Sequence, residues 1–128
     1  AISRILRKSR ERSSGPKIRF MKNLPPEKFL SLLKSAECLV GNSSVGIREA
    51  GVIGVPVVNV GTRQRGRLRS ENVKDVGYDE DAIHDAIEKQ ISNGRYSASH
   101  LYGDGTAGDR ISDLLTNVSL SVEKRIEY

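Results

Sequence analysis

This chain of 128 residues contains 21 Lys and Arg against 16 Asp and Glu, which gives a formal net charge of +5 and a pI near 9.6. Its length fits one domain that buries a core without disulfides or metal, and we predict no metal-ligating residue. The charge favours an anionic partner, but the absence of Trp and an aromatic content of 5% argue against the stacking platforms that bind single-stranded nucleic acid.

Cysteine usage and hydropathy indicate the compartment. The single cysteine, Cys38, permits no internal disulfide and lies in an apolar run, which predicts a core residue in a reducing compartment rather than a nucleophile. No apolar stretch approaches the roughly 18 residues of a membrane span, and we expect no signal peptide. We therefore expect a cytoplasmic protein without a membrane partner. Because the sequence begins at Ala1 inside an amphipathic pattern, we also expect a fragment of a longer protein.

The first third of the chain predicts a helix, a strand and a second helix. Apolar residues at helical spacing on a basic background predict the first helix, at Ile2, Ile5 and Leu6. Ser13–Pro16 breaks it, and the alternation in Lys17–Met21 predicts a strand. The second helix begins after Pro25, and its core-facing stripe comprises Phe29, Leu30, Leu32 and Leu33.

The chain is organised around CLVGNSSVGIREAGVIGVPVVNVG, from Cys38 to Gly61. An apolar run stopped by Gly41 predicts a buried strand, and Ser44 to Ile53 predicts a helix that Gly54 ends. A second buried strand follows over Val55–Val60. This order predicts a βαβ unit whose parallel strands leave a ligand crevice at their carboxyl ends.

Asn42, Ser43 and Ser44 form the turn that opens this crevice, and two interpretations of them stay open. Their side-chain oxygens are good helix N-caps, which explains them without a ligand. A helix N-terminus with two added hydroxyl donors is also suited to phosphate oxygens.

The segment Gly61–Asn72 carries arginine at every second position: Arg63, Arg65, Arg67 and Arg69. Its glycines and the lack of apolar alternation predict a loop over the crevice. Either the arginines are solvated, or at least one guanidinium reaches a ligand phosphate.

The remaining elements are simpler. Val73–Gly77 predicts a short edge strand, and Asp79 begins a helix that Asn93 and Gly94 close. His84 has no histidine, cysteine or carboxylate at ligand spacing, so we expect a surface residue. Thr106 is the expected N-cap of a last helix after a turn at Asp104, and a polar tail follows from Asn117 to Tyr128.

At this point the residues resemble a known family. GNSSVGIREAGVIGVPVVNVGTRQRGR, from Gly41 to Arg67, resembles the hydrolysing UDP-N-acetylglucosamine 2-epimerases of sialic-acid biosynthesis. The likeness extends from about Ile2 through Ser70–Val73 to YGDGTAGDRI at Tyr102–Ile111, so it covers nearly the whole chain. Non-hydrolysing bacterial epimerases carry a DSGG-type turn where this chain has GNSS, which favours the hydrolysing branch.

The resemblance implies an α/β fold of GT-B architecture, in which two Rossmann-like domains face each other and the C-terminal one holds the nucleotide. Residues 1–128 would be one Rossmann-like UDP-binding domain, a parallel sheet with flanking helices, without its N-terminal domain. Ser43 and Ser44 would hold the diphosphate, and Glu49 would accept hydrogen bonds from the ribose hydroxyls. Arg63 would contact the nucleotide, and Leu24 would meet uracil through its backbone.

The family eliminates UDP from UDP-N-acetylglucosamine and hydrates the resulting glycal to N-acetylmannosamine. Its acid and base carboxylates come from the N-terminal domain and its histidine from an upstream segment, which His84 and His100 do not match. The resemblance therefore implies no catalytic residue in this chain, no cofactor, and a homo-oligomer for the full-length protein. Two alternatives remain, the nucleotide domain of a GT-B glycosyltransferase and a basic nucleic-acid-binding module. The module would not explain the Ser43 turn or Glu49.

Overall fold

The computed structural model describes residues 18–119. The predicted helix at Ile2, Ile5 and Leu6, the break at Ser13–Pro16 and most of the predicted tail lie outside the described residues. Within these residues, five α-helices and three strands follow one another in the order α1 Pro26–Ser35, β1 Leu39–Gly41, α2 Ser44–Ile47, α3 Glu49–Ile53, β2 Val57–Val60, β3 Val73–Val76, α4 Glu80–Asn93, α5 Ala107–Asn117.

The chain divides into two compact units, with the boundary between Leu32 and Leu33. In the first unit, residues 18–21 form no strand, so the strand predicted over Lys17–Met21 is wrong in its described part. Alternation of side chains suits a strand, but a strand also needs a partner with which its backbone can pair. The helix after Pro25 is confirmed as α1, although Leu30 and Leu32 of its predicted stripe are exposed.

The second unit contains a three-stranded parallel sheet in the order β1, β2, β3. Leu39 pairs with Val57 and Val57 with Val73, and all three strands run in the same direction. The predicted α/β class, a Rossmann-like parallel sheet with flanking helices, is confirmed. Within residues 18–119, β3 lies at one edge of the sheet as predicted, but β1, which was predicted to be buried, lies at the other edge with Val40 exposed. β2 begins two residues later than predicted because the Val55 N–H donates to the Ala50 carbonyl and Pro56 has no N–H.

The core lies between the sheet and its helices. Val57 and Val58 of β2 are at most 2% exposed, and Ile47 and Ala50 of the preceding helices are fully buried. On the sheet, α4 packs against β2 and β3. Burial of several aliphatic side chains at roughly 1.5 to 3 kcal/mol each is the main force that holds this unit together.

The helix predicted from Ser44 to Ile53 is divided into α2 and α3 by a turn at Arg48, where φ is −104° and ψ is −73°. Capping residues mark where a helix begins and ends, but packing decides whether it stays straight. A Cβ atom at Gly46 would lie 2.9 Å from Val57 Cγ1, so α2 approaches β2 closely. The two short helices together bury both Ile47 and Ala50.

A buried amide joins α4 to the sheet. Gln90 Nε2 donates to the carbonyl oxygens of Val57 and Asn72 at 2.8 Å each, and Gln90 Oε1 accepts from the Tyr96 hydroxyl at 2.6 Å. Asn72 Nδ2 in turn donates to the Val55 carbonyl at 2.8 Å. The Gln90 amide is therefore paired at both ends, whereas Asn72 Oδ1 is buried without a partner in the described part of the chain.

The last helix, α5, begins after Thr106 as predicted, but the Thr106 side chain does not cap it. Instead the Thr106 hydroxyl and N–H both donate to Asp104 Oδ1, at 2.7 and 3.0 Å, and Arg110 forms an ion pair with the same carboxylate. These hydrogen bonds hold the pKa of Asp104 below its ordinary value. Asp104 is thus a turn residue, which turn chemistry explains without a ligand. None of the helices within residues 18–119 combines the length and apolarity needed to cross a bilayer.

Candidate functional site

The predicted turn Asn42–Ser44 follows the carboxyl end of β1, where parallel sheets bind ligands. Ser43 is exposed and serves as the N-cap of α2, and its Oγ accepts from the Val45 N–H at 3.4 Å. Capping uses a lone pair of the hydroxyl and leaves its hydrogen free to donate, so capping and anion binding are compatible. With four residues, α2 supplies a much smaller dipole than the ten-residue helix predicted from the sequence.

Glu49 begins α3 and is half-buried. Its Oε2 atom is buried and has no hydrogen-bond partner in the described part of the chain. A buried carboxylate oxygen without a donor is costly, and most such atoms in folded proteins are paired. Glu49 therefore has an acceptor oxygen that no donor within residues 18–119 satisfies.

The four arginines of the loop after β2 have different environments. Within residues 18–119, the side chains of Arg63, Arg65 and Arg67 are exposed and make no hydrogen bond or ion pair. Arg69 is half-buried and donates to the carbonyl oxygens of Arg67 and Gln64. The loop thus presents three unpaired guanidinium groups and uses the fourth to fix its own backbone.

Asp75 of β3 anchors the loop to the sheet. Its carboxylate accepts hydrogen bonds from Arg69 Nε and from Asn59 Nδ2 of β2. Partial burial alone would raise the pKa of Asp75, but the two hydrogen bonds and the positive charge of Arg69 outweigh it and hold this pKa below its ordinary value. Asp75 is therefore ionised at neutral pH and keeps Arg69 in place.

Gln64 connects the loop to the Ser43 turn. This side chain is 3% exposed, and its Nε2 donates to the Asn42 carbonyl at 2.7 Å. Gln64 Oε1 is buried without a partner among the described groups. Two segments that are 22 residues apart in sequence are thereby held together.

An open cleft of about 560 Å³ lies on the carboxyl ends of β2 and β3. Arg65, Arg69, Asp75 and Tyr78 line it, together with Thr62 and neighbouring glycines. Ser43, Ser44, Glu49 and Arg63 are not part of its lining. The cleft is therefore adjacent to the arginine loop but separate from the residues for which a nucleotide role is predicted.

The sequence profile of the UDP-N-acetylglucosamine 2-epimerase family matches residues 1–116. The chain belongs to this family. Among similar proteins, the UDP-N-acetylglucosamine 2-epimerase of Neisseria meningitidis serogroup B is 39% identical over 116 residues, which cover 86% of this chain and 29% of that protein. The UDP-N,N'-diacetylbacillosamine 2-epimerase (hydrolyzing) of Legionella pneumophila is 38% identical over 105 residues, or 82% of this chain and 28% of that protein.

A third relative is the GDP/UDP-N,N'-diacetylbacillosamine 2-epimerase (hydrolyzing) of Campylobacter jejuni, which is 42% identical over 74 residues. That match covers 58% of this chain and 19% of the relative. The chain thus spans less than a third of the length of these relatives. The resemblance found in the sequence is confirmed at the level of the epimerase family, and the fold is consistent with part of a GT-B epimerase.

The structure places four of the five predicted UDP-binding residues of this epimerase-family chain in the second unit. Ser43 and Ser44 lie at the start of α2, Glu49 at the start of α3, and Arg63 in the arginine loop. Leu24 lies in the first unit, where it lines a cleft of about 680 Å³ with apolar neighbours that include Met21, Pro26 and Phe29.

Cys38 and His84 are not placed at this site. Cys38 is half-buried rather than fully buried, and its burial raises the pKa of the thiol, which argues against a nucleophile. His84 is exposed as predicted, but the statement that no carboxylate stands at ligand spacing is wrong. Side-chain atoms of His84, Asp85 and Glu88 lie within 4.8 Å of one another because residues three and four apart share a helix face. All three are exposed, as is common for such groups without an ion.

Sequence reasoning missed Gln64, Asn59 and Asp75. Asn59 is the one weak signal, because a polar residue inside the valine-rich run of β2 is unexpected unless it has a partner. Gln64 carries no comparable signal, since a glutamine between two arginines is an ordinary loop residue. The hydrogen bonds of Gln64 to Asn42 and of Asn59 to Asp75 both join segments that are distant in sequence.

Proposed function

We propose that this chain is the UDP-binding part of a hydrolysing UDP-N-acetylglucosamine 2-epimerase, which converts UDP-N-acetylglucosamine to N-acetylmannosamine and UDP. The observation that carries this proposal is the unpaired, buried Oε2 of Glu49. A ribose presents two adjacent hydroxyl donors, and a carboxylate accepts them with its two oxygens. The family membership of the chain makes a nucleotide sugar the natural source of that ribose.

The other site residues fit the remaining parts of UDP. In the proposal, the hydroxyls of Ser43 and Ser44 donate to the diphosphate, and the unpaired guanidinium of Arg63 adds a positive charge. Leu24 contacts uracil through its backbone, and the cleft that it lines contains both apolar side chains and the polar side chains of Arg19, Lys22 and Asn23. The proposed reaction uses no cofactor or metal.

The chain's part in catalysis is to hold the leaving group. Elimination of UDP builds negative charge on the diphosphate as the bond to the sugar breaks, and donors that are already oriented stabilise that charge. In the proposal, Ser43, Ser44 and Arg63 supply this stabilisation. The acid and base groups for elimination and hydration come from the N-terminal domain, and the full-length cytoplasmic protein is a homo-oligomer.

The second candidate concerns the sugar. Two of the relatives are named as N,N'-diacetylbacillosamine 2-epimerases, so a diacetamido sugar nucleotide is an alternative substrate. The two sugars differ at the hexose, which in the proposal faces the N-terminal domain. Incubation of the full-length protein with each sugar nucleotide decides between them, because only the true substrate releases UDP at a substantial rate.

The binding proposal is tested by calorimetric titration of the full-length protein with UDP, UMP and a control oligonucleotide. We expect UDP to bind best, and Glu49→Ala to weaken UDP binding about 10-fold or more, because the hydroxyl donors of the ribose lose a charged acceptor. Glu37→Ala is the matched control, since Glu37 is an exposed glutamate whose side chain makes no hydrogen bond or ion pair within residues 18–119. Oligonucleotide binding that UDP does not displace, with a steep salt dependence, would instead favour the nucleic-acid-binding module.

A further inference from the structure

Gln64 makes hydrogen bonds to two different parts of the site, one through its side chain and one through its backbone carbonyl. Its side-chain Nε2 donates to the Asn42 carbonyl at 2.7 Å, and its own carbonyl accepts from Arg69 Nη2 at 2.8 Å. Arg69 is in turn paired with Asp75 of β3. A continuous chain of hydrogen bonds therefore runs from the sheet, through the arginine loop, to the turn before α2.

The bond to Asn42 fixes more than one atom. The Asn42 carbonyl and the Ser43 N–H belong to one planar peptide unit, in which the oxygen and the hydrogen point in opposite directions. When Gln64 holds the oxygen, the Ser43 N–H must point away from Gln64. The orientation of the first donor of the turn is thus set by a side chain of the loop.

The oxygen of the same amide is unpaired, so the Gln64 side chain is less fully satisfied than a structural amide such as Gln90. Gln64 is 3% exposed, and its Oε1 is buried without a partner among the described residues. A buried amide that satisfies only one of its two polar groups contributes little to stability, and an apolar side chain of similar length costs little in its place. Gln90 is the contrast within this chain, because both ends of its buried amide are paired.

We propose that Gln64 is a positioning residue, which holds the Asn42–Ser43 peptide unit in the orientation that receives the diphosphate. This inference rests on the proposed function. Gln64 itself does not touch the nucleotide. It acts through the turn and couples the turn to the arginine loop, so that the phosphate-binding groups of both segments are arranged before the ligand arrives.

The test compares Gln64→Met with Gln90→Met in the full-length protein. For Gln64→Met we expect about 10-fold weaker binding of UDP, uridine affinity within about 2-fold of the unsubstituted protein, and a melting temperature that changes little. For Gln90→Met we expect the opposite pattern, a lower melting temperature with unchanged UDP affinity of the folded protein. Affinities are measured by calorimetry for UDP and by competition for uridine.

Several results would overturn the inference. Unchanged UDP binding by Gln64→Met removes the positioning role while the proposed function stands, and equal losses for UDP and uridine indicate a general structural effect. If the unsubstituted protein does not bind UDP, the proposed function itself fails. Should Gln64→Met not fold, Gln64→Leu removes the amide donor without adding a charge near the diphosphate, and we expect the same selective loss of UDP binding.

Discussion

Asp75 is the residue on which the geometry of the arginine loop depends most directly. It accepts from Asn59 on the neighbouring strand and from Arg69 in the loop, so one carboxylate ties three segments together. The side chain of Arg69 is 23% exposed and that of Asp75 is 46% exposed, so solvent weakens their attraction. The pair is therefore more important for holding the loop in place than for the stability of the fold.

We expect Asp75→Asn to lower the free energy of unfolding by about 1 kcal/mol at pH 7. Because the pKa of Asp75 is lowered in the folded state, its contribution is present above the unfolded-state pKa of roughly 4 and is lost as the pH falls through the lower folded-state value. The difference from the unsubstituted protein should therefore shrink below about pH 4. Denaturant unfolding over a pH series measures it, with the exposed Asp113→Asn as control; a difference that stays constant in acid contradicts the assignment.

The partners of Asp75 show what sequence alone cannot supply at the scale of single residues. Asn59 lies opposite Asp75 because β2 and β3 pair in that register. A shift of β3 by one residue would place the two side chains on opposite faces of the sheet. No local pattern specifies a register between segments 16 residues apart. The nucleotide roles proposed for Ser43, Ser44 and Glu49, by contrast, rest on a local motif and stay predictions.

Among the elements, those whose ends depend on local chemistry were predicted best. α4 runs from Glu80 to Asn93, with Asp79 capping its first turn and Gly94 following its last, as the sequence predicts. The break between α2 and α3 was not predicted, because Arg48 is not a residue type that marks the end of a helix and makes no side-chain cap hydrogen bond. The loop after β2 was predicted as a loop, but its internal hydrogen bonds to Arg69 were not.

The end of α3 provides a test of the packing around the site. Gly54 has a φ of +74°, and a Cβ atom there would lie 2.1 Å from the Tyr96 carbonyl oxygen, which belongs to backbone that cannot swing aside. The Tyr96 N–H also donates to the Gly54 carbonyl at 3.0 Å, so the two segments are locked together. Any side chain at Gly54 must separate them.

We therefore expect Gly54→Ala to lower the free energy of unfolding by about 3 kcal/mol or more, as the sum of backbone strain and displacement of the Tyr96 segment. Gly66→Ala is a matched control, because Gly66 has a similar φ of +80° with open space around it. That control should cost only about 1 kcal/mol, the strain alone. Denaturant unfolding measures both variants, and equal losses would show that the contact with Tyr96 does not matter.

For the whole molecule, composition and motif supported different conclusions. The net charge of +5 indicated an anionic partner without identifying it, whereas the stretch from Gly41 to Arg67 indicated the epimerase family, which the profile match confirms. Since one of the four loop arginines is committed to Asp75, the basic surface is smaller than the sequence suggests. Charge counted along the sequence takes no account of such pairing.

The length of the match leads to the last prediction. The chain covers 28% and 29% of the Legionella and Neisseria relatives, and we assign no acid or base to it. The isolated 128-residue chain should therefore release no UDP from UDP-N-acetylglucosamine, because both elimination and hydration need proton transfer. The full-length protein should release UDP and N-acetylmannosamine, and a coupled assay for UDP measures both. Turnover by the isolated chain would mean that its own residues, with His84 and His100 as the first to substitute, carry the chemistry.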